Sequence, residues 1–171
     1  MKLVSKSLSK RLQKLFPNIV SSSQNAFVKG SNIGDYVRLI DEIFHFTNKF
    51  EIPAILLAID FEKEFDSVDW EFLYRVLRRY NFGPRFIGWI RAMYNNIESC
   101  VMNNGYSTGY FKLGRGIRQG DPLSPMLFIL VLEPLLVAIR TNRDIHGIKC
   151  ADIEMKESAF ADDLIDLFFD L

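Results

Sequence analysis

The stretch AILLAIDFEKEFDSVDW, residues 54–70, decides the fold. Ala54–Ile59 is a continuous apolar run of strand length, opened by Pro53. Runs of this kind fit a strand buried on both faces. Asp60 stands at its end. Beyond it, Ser67 or Asp69 offers a side chain that caps a helix reaching about Tyr80, with Phe72, Leu73, Val76 and Leu77 inward. Asp66 and Asp69 read as a pair at a helix start, where carboxylates complement the helix dipole.

Downstream, Asn81-Phe82-Gly83 ends this helix and Pro84 starts another, to about Asn95. Residues 97–104 and 106–113 read as a hairpin around Asn104-Gly105. A glycine-punctuated loop, GRGIRQGDP (114–122), leads into a long apolar helix from about Leu123 to Arg140. Ser158–Ala161 and Leu164–Phe169 flank Asp162-Asp163, which predicts a strand, an acidic two-residue turn and a second strand. Upstream, Leu3, Leu8, Leu12 and Leu15 mark an amphipathic helix over residues 2–16, stopped by Pro17. A polar loop over Ser21–Ser31 follows, interrupted by Ala26-Phe27-Val28. A second helix from about Asn32 to Phe50 carries the apolar set Ile33, Val37, Ile40, Ile43, Phe44 and Phe46. The pattern predicts one α+β unit, helices packed on a small antiparallel sheet.

The bulk properties allow this. A chain of 171 residues, 49% hydrophobic and 25% charged, fits one globular domain. Lysine plus arginine and aspartate plus glutamate both number 21, so the net charge is zero. Any phosphate-binding surface must therefore be a local stripe. Two such stripes occur: Lys2, Lys6, Lys10 and Lys14, and the group Arg75, Arg78, Arg79, Arg85 and Arg91. Each reads equally as a solvated helix face. Cys100 and Cys150 are too far apart in sequence to suggest a zinc site or disulfide scaffold and read as buried, inert thiols. His45 and His146 read as structural or surface residues. No signal peptide is visible, so an intracellular protein is expected. The apolar stretch Pro125–Ile139 contains Glu133 and Pro134 and reads as a buried helix rather than a membrane span.

The chemistry centres on the acids. A carboxylate at a strand end or hairpin tip is poorly explained by stability unless it meets a cation. Mg²⁺ is a hard ion that takes carboxylate and phosphate oxygens, and a pair of such ions can clamp the attacking and leaving oxygens of a phosphoryl displacement. An isolated Asp-Asp pair reads more readily as turn chemistry. The loop 114–125 strengthens the catalytic reading. Its glycines permit close backbone approach to a ligand, and Arg115, Arg118 and Gln119 can bond phosphate or a base-paired nucleotide.

LLAIDFEKEFDSVDW (56–70), GIRQGDPLSPMLFILVLEPLL (116–136) and AFADDL (159–164) resemble the three central palm motifs of reverse transcriptases, those of non-LTR (LINE-type) retrotransposons above all. KLVSKSLSKRL (2–12) and QNAFVKG (24–30) resemble the finger region just upstream. The resemblance implies a polymerase palm over about 53–171 and part of the fingers over about 1–52, with the thumb absent. It implies catalytic Asp60, Asp162 and Asp163. These would hold two Mg²⁺ ions, or Mn²⁺ in their place, with the Phe61 carbonyl as a further ligand. Phe65 would stack under the sugar and exclude a 2′-hydroxyl, with core packing as its alternative reading. Arg118, Gln119, Gly120 and Ala161 would meet the incoming nucleotide; Phe160, Gln24 and Lys29 would lie along primer and template. The implied partners are an RNA template, a DNA primer and dNTPs, with no membrane. The resemblance also suggests the nucleus, where target DNA lies.

The sequence departs from the family pattern in places. The upstream Arg-Pro-Ile segment, the thumb and any endonuclease segment are expected to be missing from these 171 residues. Ser31 follows Gly30 where arginine is usual, and Glu64 precedes Phe65 where alanine is usual. Asp166 interrupts an apolar strand and is expected to disturb its packing or register. The isolated chain is therefore expected to show little or no polymerase activity. Competing readings are a non-catalytic remnant of such an enzyme, a group II intron-type reverse transcriptase, or another palm nucleotidyltransferase.

Overall fold

A computed structural model describes residues 2–27, 32–150 and 153–169. The chain runs α1 (Lys2–Gln13), α2 (Phe16–Ile19), α3 (Ile33–Lys49), β1 (Ala54–Ile59), α4 (Glu64–Ser67), α5 (Trp70–Arg79) and α6 (Pro84–Tyr94). A two-stranded ribbon follows: β2 (Glu98–Ser99), β3 (Met102–Asn103), β4 (Tyr106–Ser107) and β5 (Phe111–Lys112). Then come α7 (Ser124–Thr141), β6 (Ile148–Cys150), β7 (Ile153–Met155), β8 (Glu157–Phe160) and β9 (Asp163–Phe169). Mixed helices and small antiparallel sheets are what the sequence pattern predicts; the short β6–β7 hairpin was not anticipated.

The caps follow sequence chemistry. Asp69 accepts a hydrogen bond from the Phe72 N–H at 2.7 Å and starts α5. Asn32 accepts one from the Asp35 N–H at 3.1 Å and starts α3. The ribbon turns at Asn104 (φ 48°) and Gly105 (φ 81°), the left-handed pair that a tight hairpin requires. Pro17 does not end the first helix, which already stops at Gln13. It lies in the first turn of α2, where its missing N–H has no partner to lose.

The principal sheet has the order β1-β9-β8, both pairs antiparallel. The segment Ser23–Asn25 extends it beyond β8. The Ala159 N–H donates to the Ser23 carbonyl and the Asn25 N–H to the Ala159 carbonyl, each at 2.8 Å. One face carries Ala159 and Leu164 into the main core. There Leu123, Leu127, Ile129, Leu130 and Leu136 of the α7 segment meet Leu73 and Leu77 of α5, Ile90 of α6, Leu12 and Phe16. The other face places Leu56 and Leu167 against Ile43 of α3 and Ile148.

Several expectations are corrected. β1 is not buried on both faces: it is the sheet edge, and Ile55 and Leu57 are 52% and 45% exposed. An apolar run specifies a strand but not its place in the sheet. Leu3, Leu15, Ile33, Val37 and Phe44 are exposed rather than inward, so α1 buries mainly Leu8 and Leu12 and α3 mainly Tyr36 and Ile43. Cys150 is exposed and Cys100 half-buried, because both sit in short ribbons with little packed over them. α7 is long and apolar enough to cross a membrane by length and composition. Half of it is buried inside the fold, however, as suits a core helix.

Candidate active site

β1 and β9 pair down to Ile59–Leu164. One residue further along each strand stand Asp60 and Asp163, and Asp162 precedes Asp163 in the turn from β8. Antiparallel pairing thus gathers three carboxylates, 102 residues apart in sequence from Asp60 to Asp162, at one end of one sheet. The turn itself is Ala161-Asp162, closed by the Phe160–Asp163 pair; Asp163 is already the first residue of β9. Asp60 and Asp163 are exposed and Asp162 is half-buried. Among the described residues no three such side chains converge into a ready-made cation cage. All three offer oxygen donors of the kind a hard divalent cation takes, and no described lysine or arginine pairs with them.

The loop that begins at Gly114 is stitched to the segment after Asp60. The Ile117 N–H donates to the Phe65 carbonyl and the Gly116 N–H to the Val68 carbonyl, each at 2.8 Å. The Trp70 indole donates to the Gly116 carbonyl at 2.7 Å. Gly116 is required twice over. Its φ is 98°, and an added Cβ would come within 3.2 Å of the Asp66 carbonyl oxygen. Phe65 is half-buried, its ring centroid 5.7 Å from that of Phe128 on α7. Its core-packing reading is therefore realised, whatever else it touches. Phe61 is likewise half-buried against the core. Arg118 is half-buried, while Gln119 and Gly120 (φ 74°) are exposed on the loop. Sequence reasoning missed Asp121. Its carboxylate accepts from the Ser5 hydroxyl of α1 and from the Leu123 N–H at 2.9 Å, anchoring the loop's far end.

Gln24, expected along primer and template, is 2% exposed and faces inward, its amide bonded to Ala161. Lys29, and the Gly30-Ser31 departure, lie outside the described residues. Phe160 sits beside Tyr36 of α3, ring centroids 5.9 Å apart. The Tyr36 hydroxyl donates to the Asp163 carbonyl at 3.5 Å. Burial, followed by the nearby Asp163 charge, pushes the Tyr36 phenol up to about 12. An isolated tyrosine on an amphipathic helix gave no signal in sequence. A cleft of about 550 Å³ lined by Trp70, Tyr74, Arg91 and Lys112 contains none of the expected site residues.

A second acid group lies deeper in the same sheet. Glu157 and Asp166 face each other across β8 and β9, 7% and 5% exposed. Glu133 of α7 is 1% exposed. Arg140 bridges Glu133 at 3.3 Å and Glu157 at 3.0 Å. Ser23 also donates to Glu157, and the Ser21 N–H to Glu133. Asp166 keeps its register opposite Leu57, so the expected slip does not occur. The cost appears in its protonation instead. Burial, and then the Glu157 charge, raises the Asp166 carboxyl above the usual range.

Comparison with known proteins shows the family. The profile of the family described as "Reverse transcriptase (RNA-dependent DNA polymerase)" matches residues 1–168. The chain is 37% identical over 164 residues to the "Transposon TX1 uncharacterized 149 kDa protein" of Xenopus laevis, covering 96% of this chain and 12% of that protein. It is 31% identical over 142 residues to the "Retrovirus-related Pol polyprotein from type-2 retrotransposable element R2DM" of Drosophila melanogaster, covering 83% and 13%. A corresponding type-1 R2 polyprotein of Nasonia vitripennis is 27% identical over 148 residues, covering 86% and 14%. The chain thus spans about an eighth of the length of these relatives. A profile match over nearly all its residues, on a sheet whose end gathers Asp60, Asp162 and Asp163, establishes that the chain belongs to the reverse transcriptase family.

Proposed function

We propose that the chain is the palm, with part of the fingers, of an RNA-directed DNA polymerase encoded by a mobile element. Nucleotides are joined to a primer 3′-hydroxyl opposite an RNA template. The observation that carries this reading is the register that brings Asp60 and Asp163 to one sheet end beside Asp162. In the reaction the 3′-hydroxyl oxygen bonds to the α-phosphorus of a dNTP and pyrophosphate leaves. Asp60, Asp162 and Asp163, with the Phe61 carbonyl, would hold the divalent cations. When bound, such cations neutralise the charge that develops on the phosphoryl oxygens.

The rest is positioning by the chain itself. Phe65 is fixed by Phe128 and by the Ile117 bond, so its ring is a rigid wall that disfavours a 2′-hydroxyl. Gln119 and Gly120 are exposed on the anchored loop and would meet the nucleotide and the template base. The finger–palm boundary falls near residue 52, where α3 gives way to β1.

A specific observation favours a second reading, a non-catalytic relative. Glu64 opens α4 immediately before Phe65 and is half-buried, so an anion stands where a triphosphate must approach. Single-nucleotide extension of a DNA primer on an RNA template, with Mg²⁺ or Mn²⁺, decides between them. Extension that Asp162→Asn abolishes supports the polymerase. No extension by a chain shown to be folded supports the non-catalytic relative.

A further inference from the structure

The turn that carries Asp162 begins with a residue in an unfavourable conformation. Ala161 has φ 60°, in the left-handed region that a β-carbon disfavours and glycine tolerates. Such conformations persist where the surroundings over-determine them. Ala161 packs against the main core, and one side chain holds its polar groups. Gln24 Oε1 accepts from the Ala161 N–H at 3.0 Å, and Gln24 Nε2 donates to the Ala161 carbonyl at 3.3 Å. Both polar groups of the strained residue are thus held by a single carboxamide. Gln24 is itself fixed. Its Oε1 also accepts from the Ala26 N–H at 3.0 Å, its backbone bridges to Ala159, and it is 2% exposed.

We propose that Gln24 is a positioning residue for the acidic turn: its carboxamide locks Ala161 in the left-handed conformation and so sets where the Asp162 carboxylate stands relative to Asp60 and Asp163. A clamp from outside the hairpin is needed because a two-residue turn has few internal bonds to hold an alanine at positive φ. The consequence for cation binding rests on the reading proposed above; the clamp itself does not. Residues that orient metal ligands without touching the metal typically change affinity by about 10- to 100-fold when removed. The finger segment thereby acts on the palm's acids through one buried amide.

The test compares the wild-type chain with Gln24→Met, which keeps the volume and removes the bonds, with the double variant Gln24→Met/Ala161→Gly, and with Asp162→Asn. Two quantities are read: Mn²⁺ binding by electron paramagnetic resonance, and amide hydrogen exchange at Ala161 by nuclear magnetic resonance. The expected result is slow exchange at Ala161 in the wild type and fast exchange in Gln24→Met. Mn²⁺ affinity should fall by about 10- to 100-fold in Gln24→Met and recover in the double variant, because glycine takes the turn conformation unaided. A residue that merely filled space would not be rescued by a glycine in the turn. Unchanged exchange and unchanged affinity in Gln24→Met would overturn the proposal. Should Gln24→Met fail to fold, unprotected exchange at Ala161 in the wild type overturns it on its own, and slow exchange there supports it. Absence of Asp162-dependent Mn²⁺ binding in the wild type would instead sink the metal reading, leaving exchange to judge the clamp.

Discussion

The same sheet gathers carboxylates in two places, and the surroundings of the two groups are opposite. At the end of β1 and β9, Asp60 and Asp163 are exposed and Asp162 half-buried, and among the described residues no ion pair reaches them. A few residues along β8 and β9, Glu157 and Asp166 are buried together with Glu133, and Arg140 bridges two of the three. Two acids of the inner group are accounted for by the fold: a charge taken out of water needs a partner, and Arg140 of α7 reaches Glu133 and Glu157, while Asp166 Oδ1 is buried without one. The outer group contributes nothing to the fold that explains it. Asp60 and Asp163 are placed by strand register and are exposed, with Asp162 half-buried beside them. Asp69 supplies a third case, an exposed acid fully explained by the N–H it caps.

If the inner group is structural, removing its cation should be the most damaging change. Arg140→Met should destabilise the chain by about 3–5 kcal/mol, since Glu133 and Glu157 would remain buried without compensation; urea unfolding measures it. A loss below about 1 kcal/mol would show the group to be better hydrated than its burial implies.

The outer group should behave in the opposite way. Asp162→Asn should leave unfolding unchanged while lowering single-nucleotide extension by about 100- to 1000-fold, the scale of losing one electrostatic element of an active site. A drop in stability of equal size would erase the distinction between the two groups.

Asp166 tests the inner group by pH. Its folded-state pKa is raised, so the folded chain binds more protons than the unfolded one between the ordinary aspartate value and the raised one. The stability linked to this proton is fully present below the unfolded value and is lost as pH rises through the folded one. Glu133, raised chiefly by burial, acts with the same sign. Asp166→Asn should therefore stabilise the chain at neutral pH by about 1 kcal/mol, with the gain shrinking on acidification. Thermal unfolding followed from below the ordinary aspartate value of about 3.9 up to neutral pH reads it.

The smallest effect belongs to the third case. Asp69→Ala should cost about 1 kcal/mol or less through loss of the α5 cap, and Asp69→Asn close to nothing. A large effect of Asp69→Asn on extension, without loss of stability, would move Asp69 into the same class as Asp60.

Local features were legible in advance where the chemistry is local. The Asp69 cap, the Asn104-Gly105 turn, the Pro84 start of α6 and the strand at Ala54–Ile59 each depend on residues within a few positions of one another. The acidic hairpin was legible too, though displaced by one residue, because Asp163 can pair as a strand residue as well as turn. Inward and outward faces were read less well. The apolar period of α3 is wide enough to bury either of two stripes, and contact with Leu56 and Leu167 selects Ile43 over Phe44.

The sequence alone determined the family, the order of the elements and the identity of the three outer acids, because motif chemistry and local propensity reside in contiguous residues. Only the tertiary structure decided that β1 is an edge, that Arg140 reaches Glu133 and Glu157, and that Gln24 turns inward to hold Ala161. Each of those depends on segments far apart in the chain arriving at one place. Pairing register and burial are set by that arrival, through desolvation and hydrogen bonding that no single stretch of sequence contains.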